Sequence, residues 1–408
     1  MPVGLRKPCP DSGLAGRILG LQMFGGVDWL GGINYLKSQI GALRLVPEGE
    51  RPRVFLCINQ RRMDAIDLLA PVFPLLDGFA LIGERACTLE LDDGKETLRL
   101  ADMDALLSAV DWYYYVAAGF HDHHRAIPWI PDLQHTRMPE MFTPESIADR
   151  DRDFRTVAER GRRVVFSCRL AAADFLAAYP GGKAQPEVVP FTFLPDDSLF
   201  AADPGPVIRR YGLPPRYLMC CNQFWKHKDH GTLLKALGLL KERGHTLALA
   251  CTGHRHDYRW PHYFAELTDL IAALGLAGQV TILGTIDREH QLQLLRGAAA
   301  VVQPSRFEGW STVVEDCRSL GKRLFLSDID VHREQHPPGA RFFRTGDPED
   351  LARLIEAALP ELAPGPDFDA EAKGRRHARE FGLGVGRAFC RVLERSLAAP
   401  GPLDGSAS

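Results

Sequence analysis

"CCNQFWKHKDHGTLLKAL", Cys220–Leu237, is the stretch that decides how this chain is read. It opens at the end of an apolar run, Tyr217–Cys221, and closes in a helix-like spacing of Leu233, Leu234, Leu237 and Leu240. Between the two stand Lys226 and Lys228, flanking His227. A strand-to-helix junction attracts anions, because first-turn N–H groups lack intrahelical partners and the dipole end is positive. Lysine is mildly unfavourable there unless an anion sits between the charges. A helix end supplies only ~0.3–1 kcal/mol to an exposed anion, and a hydrogen bond to a charged group ~1.5–3 kcal/mol. The lysines would therefore dominate such a site. The plain alternative is a solvated helix start.

The same rhythm extends outward. Short apolar runs at 217–221, 247–253, 279–284, 299–305, 322–328 and 340–346 alternate with helical patterns at 229–243, 261–274, 287–297 and 348–359. The last opens with Asp347 as cap, Pro348 in the first position and Asp350 in the first turn. Upstream, strand-like runs occur at 17–24, 53–59, 79–83, 111–118 and 162–168. Such alternation predicts parallel sheets covered on both faces, here in two Rossmann-like α/β domains whose strand ends face a central cleft. The Pro-rich stretch Leu194–Tyr217 reads as the linker. We expect an N-terminal domain over 1–200, a C-terminal domain over 201–383, and a final helix within 384–408 that packs back on the first domain before a frayed tail.

The totals agree. The chain has 408 residues, enough for two domains at roughly 100–200 residues each. Hydrophobic content is 45% and charged content 25%, with a net charge of −3. A near-neutral chain argues against bulk electrostatic binding of nucleic acid, so any anion site is local. The nine cysteines are odd in number and lack a C-x-x-C pair, which predicts reduced thiols and a cytoplasmic setting. The N-terminus has no signal-peptide core, and no apolar window is long enough to span a membrane.

Further motifs carry chemistry. In "FGGVDWLGGINYLKSQI" (Phe24–Ile40), a strand ends in a glycine loop and a helix is expected near Ile33; Gly31 and Gly32 would let backbone N–H groups approach a phosphate. In "PSRFEGWSTVVEDCRSLGKRLFLSD" (Pro304–Asp328), Gly309, Trp310, Ser311 and Thr312 would offer N–H groups and hydroxyls to a phosphate, and Glu315 hydrogen bonds to sugar hydroxyls. "HDHH" (His121–His124) lacks the spacing of a metal set and reads as a polar loop. The D-x-D at Asp328–Asp330 recurs elsewhere in the chain and carries no weight alone.

With these motifs in view, "NQFWKHKDH", "TGHRHDYRWPHYF", "PSRFEGWSTVVED" and "SDIDVHREQ" resemble the C-terminal half of family 4 glycosyltransferases of the GT-B fold, glycosyltransferase group 1 type. "GGVDWLGGINYLKSQI" and "WIPDLQHTRMPEMFTPESIADRDRDF" resemble the N-terminal half. The resemblance spans about Gly25 to Gly346 and implies a retaining, metal-independent hexosyltransferase that needs no cofactor beyond its nucleotide-diphosphate-sugar substrate. It implies Lys228 on the diphosphate, Glu308 on the donor sugar, Glu315 on the ribose, and Gly284 and Thr285 beside the base. The acceptor, a glycan, lipid-linked or small molecule, would bind the N-terminal domain near Gly32, Asp132 and His135. That makes the protein cytoplasmic, with or without peripheral attachment at the inner membrane.

The sequence departs from the family at three places. Gln223 stands where the family has arginine, with Lys226 as the candidate compensating cation. Glu308 and Glu315 are separated by six residues instead of seven. Pro131-Asp132-Leu133 replaces His-Asp-Leu, with His135 as the candidate substitute histidine. Two other readings share the fold: a non-hydrolysing nucleotide-sugar epimerase, against which the glutamate motif argues, and a catalytically weak nucleotide-sugar-binding protein.

Overall fold

Among the described residues every strand lies in one of two sheets, and the strands of both pair in parallel throughout. The structure is a computed structural model describing residues 13–26, 29–60, 63–91 and 94–397. The N-terminal stretch, the tail from 398, and Val27 and Asp28 of the glycine loop lie outside the described residues.

The first sheet contains β1 (Ile18–Gln22), β2 (Arg53–Asn59), β3 (Gly78–Ile82), β4 (Glu96–Leu100), β5 (Trp112–Val116), β6 (Ala126–Ile130), β7 (Arg163–Phe166) and β8 (Gln185–Val188), in the order 4-3-2-1-5-6-7-8. The second contains β9 (Tyr217–Cys221), β10 (Ala248–Thr252), β11 (Val280–Gly284), β12 (Ala300–Gln303), β13 (Leu324–Ser327) and β14 (Arg341–Phe343), in the order 11-10-9-12-13-14. Central strands such as β9 and β12 are buried along their whole length, as parallel strands covered on both faces must be. Two Rossmann-like domains thus stand where the alternation predicts them.

Each order reverses once, between β1 and β5 and between β9 and β12. At a reversal, successive connections leave in opposite directions and open a crevice at the carboxyl ends of the strands. The loop after β9 carries Lys228 and the loop after β12 carries Glu308, so the second reversal brings both to one crevice.

The final helix differs from expectation. It runs unbroken over Phe368–Leu397, 30 residues, instead of starting near residue 384. Gly374, Gly382 and Gly386, which in isolation weaken a helix, sit where it presses closely on its neighbours. A Cβ on Gly386 would collide with the Ala42 carbonyl of the Leu30–Leu45 helix. Near its start, Glu371 pairs with Arg296 of the C-terminal domain (2.7 Å). Near its end, Phe389 and Leu393 are buried in the N-terminal core.

Candidate active site

Between the domains lies a cavity of about 320 Å³, lined from both sides. The C-terminal domain contributes Gln223, Lys228, Thr285, Arg288, Glu308, Gly309, Trp310, Ser311, Thr312 and Asp316. The N-terminal domain contributes Gly31, Lys37, Trp129, Asp132 and Gln134.

The lysines sit one turn ahead of the helix start. Lys226–Lys228 form a 3-10 turn, Asp229 takes a left-handed conformation (φ 51°), and the α-helix runs over His230–Glu242. The Asp229 side chain caps that helix through the Thr232 N–H. The turn aims Lys228 into the cavity, where its Nζ donates to both Glu308 oxygens at 2.8 and 2.7 Å. Asn222 and Gln303, at the ends of β9 and β12, exchange amide hydrogen bonds of 2.9 and 3.1 Å. The Gln303 Nε2 also donates to Glu308 (2.8 Å), fixing the carboxylate. Burial alone would raise the Glu308 pKa, but the Lys228 and His332 charges and its hydrogen bonds outweigh it and hold it low. The site thus carries a preformed ion pair at a strand-end crevice.

Lys226 turns out of this arrangement. Its Nζ lies 3.4 Å from the centroid of the Trp260 ring, and it does not line the cavity. The cation that the sequence suggested as compensation for Gln223 is thus placed outside the cavity.

The loop after β12 is gripped by the other domain. A Cβ on Gly309 would come within 2.6 Å of the Pro131 carbonyl, so only glycine permits this approach. The Trp310 indole N–H donates to the Phe191 carbonyl (2.9 Å). Ser311 caps the Thr312–Ser319 helix, while its own N–H donates to Gln335 (3.2 Å). The Ser311 N–H is thus taken, and Thr312 and Val313, whose first-turn N–H groups have no intrahelical acceptor, line the cavity.

Glu315 is not a cavity residue. It is fully buried, accepts from Gln335 (2.9 Å) and lies 3.5 Å from Arg318. Burial pushes its carboxyl up to about 7. One residue further, about 100° around the helix, Asp316 lines the cavity and pairs with Arg288 at 2.5 Å. Asp316 also restores the seven-residue separation from Glu308 that Glu315 breaks. That spacing was the signal in the sequence, and it points to Asp316 instead of Glu315.

His135 is likewise outside the cavity. The Gln134–Arg137 helical turn begins directly after Leu133, so Gln134 lines the cavity while His135 enters the N-terminal core. There its Nε2 lies 3.3 Å from Asp151 Oδ1, with Phe154 beside the ring. Burial, then the Arg150 charge, lower its pKa. Two histidines that sequence reasoning passed over line the cavity, His227 and His254; the His227 Nδ1 accepts from Arg259 (3.2 Å). Of the two, His227 is the buried one. Burial and the Lys228 and Arg259 charges keep it neutral.

The remaining expected residues divide. Asp132 lines the cavity and pairs with Arg150 (3.3 Å). Gly31 lines it from the first turn of the Leu30–Leu45 helix, which starts three residues earlier than predicted; Gly32 lies behind, beneath Trp29. Thr285 lines it, whereas Gly284 closes β11 with its carbonyl accepting the Gly253 N–H (2.8 Å). Among the described residues no group of three metal-ligating side chains gathers, at His121–His124 or elsewhere. No described helix is long and apolar enough to cross a membrane.

The architecture has solved counterparts. Sucrose-phosphate synthase (tll1590) from Thermosynechococcus elongatus matches with a TM-score of 0.63 at 14% identity, over 94% of this chain and 100% of that one. Anabaena Alr3699/HepE in complex with UDP and glucose matches with a TM-score of 0.61 at 14% identity, over 94% and 100%. WaaG, a glycosyltransferase involved in lipopolysaccharide biosynthesis, matches with a TM-score of 0.57 at 11% identity, over 92% and 99%. At such identities the likeness establishes the fold, which is GT-B. A comparison with curated protein sequences gives no match. Residues 210–363, the part of the chain that carries Lys228, Glu308 and Asp316, match the family model described as Glycosyl transferases group 1.

Proposed function

We propose that this protein is a retaining glycosyltransferase that moves a hexosyl group from a nucleotide-diphosphate sugar to an acceptor hydroxyl. The observation that carries the reading is the Lys228–Glu308 pair at the β9/β12 crevice, on the same cavity wall as the N-terminus of the Thr312–Ser319 helix, in a cleft between two Rossmann-like domains. The family match over the same residues supports it, as do neighbours described as complexes with UDP or UDP-glucose.

In this reading the donor diphosphate lies against Lys228 and the first-turn N–H groups of Thr312 and Val313. These fixed donors stabilise the negative charge that grows on the leaving diphosphate as the glycosidic bond breaks, so the transfer needs no metal or further cofactor. Donor binding would draw Lys228 away from Glu308 and free that carboxylate for the sugar hydroxyls. Asp316, in place of Glu315, meets the ribose, and Gln223, Thr285, Gly309, Trp310 and Ser311 complete the donor wall. The acceptor, a glycan or glycoconjugate, enters along Trp129, Asp132 and Gln134 of the other domain, with or without peripheral attachment of the enzyme to a membrane.

The test is mass spectrometry of the full chain incubated with a panel of UDP-, GDP- and ADP-sugars, with and without EDTA. Release of nucleoside diphosphate with hydrolysis or transfer of the sugar, unaffected by EDTA, is expected. Isomerisation of the donor without that release would identify an epimerase instead. Loss of activity to EDTA, restored by a divalent cation, would overturn metal independence.

A further inference from the structure

The cavity wall holds three permanent cations, Lys37, Lys228 and Arg288. Lys228 is held by Glu308 (2.7 Å) and Arg288 by Asp316 (2.5 Å). The third lining carboxylate, Asp132, faces Arg150 (3.3 Å), which lies outside the wall. Among the described residues Lys37 has neither a carboxylate nor a hydrogen-bond acceptor. It lies on the Leu30–Leu45 helix, about two turns beyond Gly31, and the residues it shares that wall with include Arg288 from the opposite domain. Its charge is opposed by partial burial and by Arg288. Lys37 is thus a cation in a partly desolvated cleft with no counter-charge of its own, facing a domain whose Arg288 is already matched by Asp316, and that is a costly arrangement. It becomes favourable once an anion enters.

We propose that Lys37 is a specificity-determining cation for the donor: from the acceptor-side domain it contacts the phosphates of the bound nucleoside diphosphate. This rests on the nucleotide-sugar reading above and deepens it. The charge count favours this assignment. A nucleoside-diphosphate sugar carries two phosphate charges; Gln223 is neutral, Lys226 is turned onto Trp260, Arg288 is held by Asp316 (2.5 Å), and Lys228, once drawn from Glu308, supplies a single positive charge. Lys37 supplies the second cation. Because it comes from the other domain, the nucleotide also draws the two domains together.

The experiment is calorimetric titration of the full chain with UDP, GDP and ADP, and with uridine, guanosine and adenosine, at low and high salt. The proteins are wild type, Lys37→Met, Lys37→Gln, Lys37→Arg and, as a control turned away from the cavity, Lys226→Met. Both neutral variants should bind the preferred nucleoside diphosphate about ten- to a hundred-fold more weakly at low salt, the range of one charge-assisted hydrogen bond. The deficit should shrink at high salt. Nucleoside binding should stay within about two-fold, Lys37→Arg should keep most of the affinity, and Lys226→Met should match wild type. Unchanged diphosphate affinity in both neutral variants overturns the proposal while leaving the nucleotide-sugar reading intact, and directs Lys37 to an anionic acceptor. Equal losses for nucleoside and diphosphate overturn it in favour of a ribose, base or structural role. Failure of wild type to bind any of the diphosphates overturns the underlying reading and the proposal together.

Discussion

Glu334, in the C-terminal domain, caps a helix of the N-terminal domain: its carboxylate accepts the N–H of Arg169 at 2.8 Å and, with its second oxygen, that of Leu170 at 3.2 Å. The helix Arg169–Ala178 has only the Cys168 thiol as a cap of its own. An anion at a helix N-terminus and a filled cap contribute about 1–2 kcal/mol, and here that energy is available only when the domains are closed. Glu334→Ala should therefore loosen closure more than it unfolds either domain. Small-angle scattering of the unliganded variant should show a larger radius of gyration. Unaltered scattering would mean that Gly309, Trp310 and their partners hold the domains together alone.

The Lys228–Glu308 pair should be costly to break on one side. Both side chains are largely buried, 15% and 7% exposed, and removing one partner of such a pair leaves an uncompensated charge, worth about 3–5 kcal/mol. Lys228→Met should lower the unfolding midpoint in urea and also weaken nucleoside-diphosphate binding. Adding Glu308→Gln should restore much of the stability but none of the binding. If the double variant is no more stable than the single one, the pair is not coupled in the way its geometry indicates.

Glu315 gives the protein a pH dependence of opposite sign to that of an ordinary salt-bridged carboxylate. Its folded pKa is raised by burial to about 7, above the unfolded value near 4.3. The folded state therefore binds the proton more tightly, and the contribution present below pH 4 is lost as pH rises through 7. Glu315→Gln, which keeps an acceptor for Gln335, should overtake wild type in stability between pH 5 and pH 8, by about 3–4 kcal/mol at the upper end. Denaturant midpoints of the two proteins that run parallel over this range would show that Glu315 titrates normally.

His135→Ala should be a stability variant. The ring packs beside Phe154 and Phe142 and meets Asp151, so the variant should lose about 2–4 kcal/mol with near-normal turnover. Its lowered folded pKa means that its contribution is present above the unfolded value near 6.5 and is lost as pH falls through the folded one. The gap between wild type and variant should thus narrow in acid. A variant with an unchanged melting temperature and collapsed turnover would place His135 in the chemistry after all.

Apolar pattern made most of the fold legible before any coordinates. Runs such as Tyr217–Cys221 and Ala300–Gln303 are buried on both faces and stand out from polar helices on either side. Two strands missing from those runs, β4 (ETLRL) and β8 (QPEV), are the two edges of the first sheet. An edge buries little and needs little apolar sequence. At the site, Lys228 and Glu308 were legible because strand ends at a chain reversal converge. Glu315 and His135 were misplaced for a shared reason. Each is one residue from the side chain that lines the cavity, Asp316 and Gln134, and a helix turns about 100° per residue. Local spacing alone leaves that phase undetermined until the helix start is known. Lys37 left no signal at all, because the cavity that it lines is completed by residues distant in sequence, Arg288 among them, which domain packing alone brings near.

The helix Phe368–Leu397 has a bearing on how the chain is made. Val385, Phe389, Cys390, Val392 and Leu393 belong to the same buried cluster as Leu36, Ile40 and Leu43, yet they leave the ribosome more than three hundred residues later. Domains ordinarily fold in order of synthesis, but this N-terminal domain must wait with one flank of its first helix uncovered while the whole C-terminal domain is translated. A nascent chain arrested before Phe368 would display that apolar groove and should recruit chaperones, and release of the final segment would close it in one docking event.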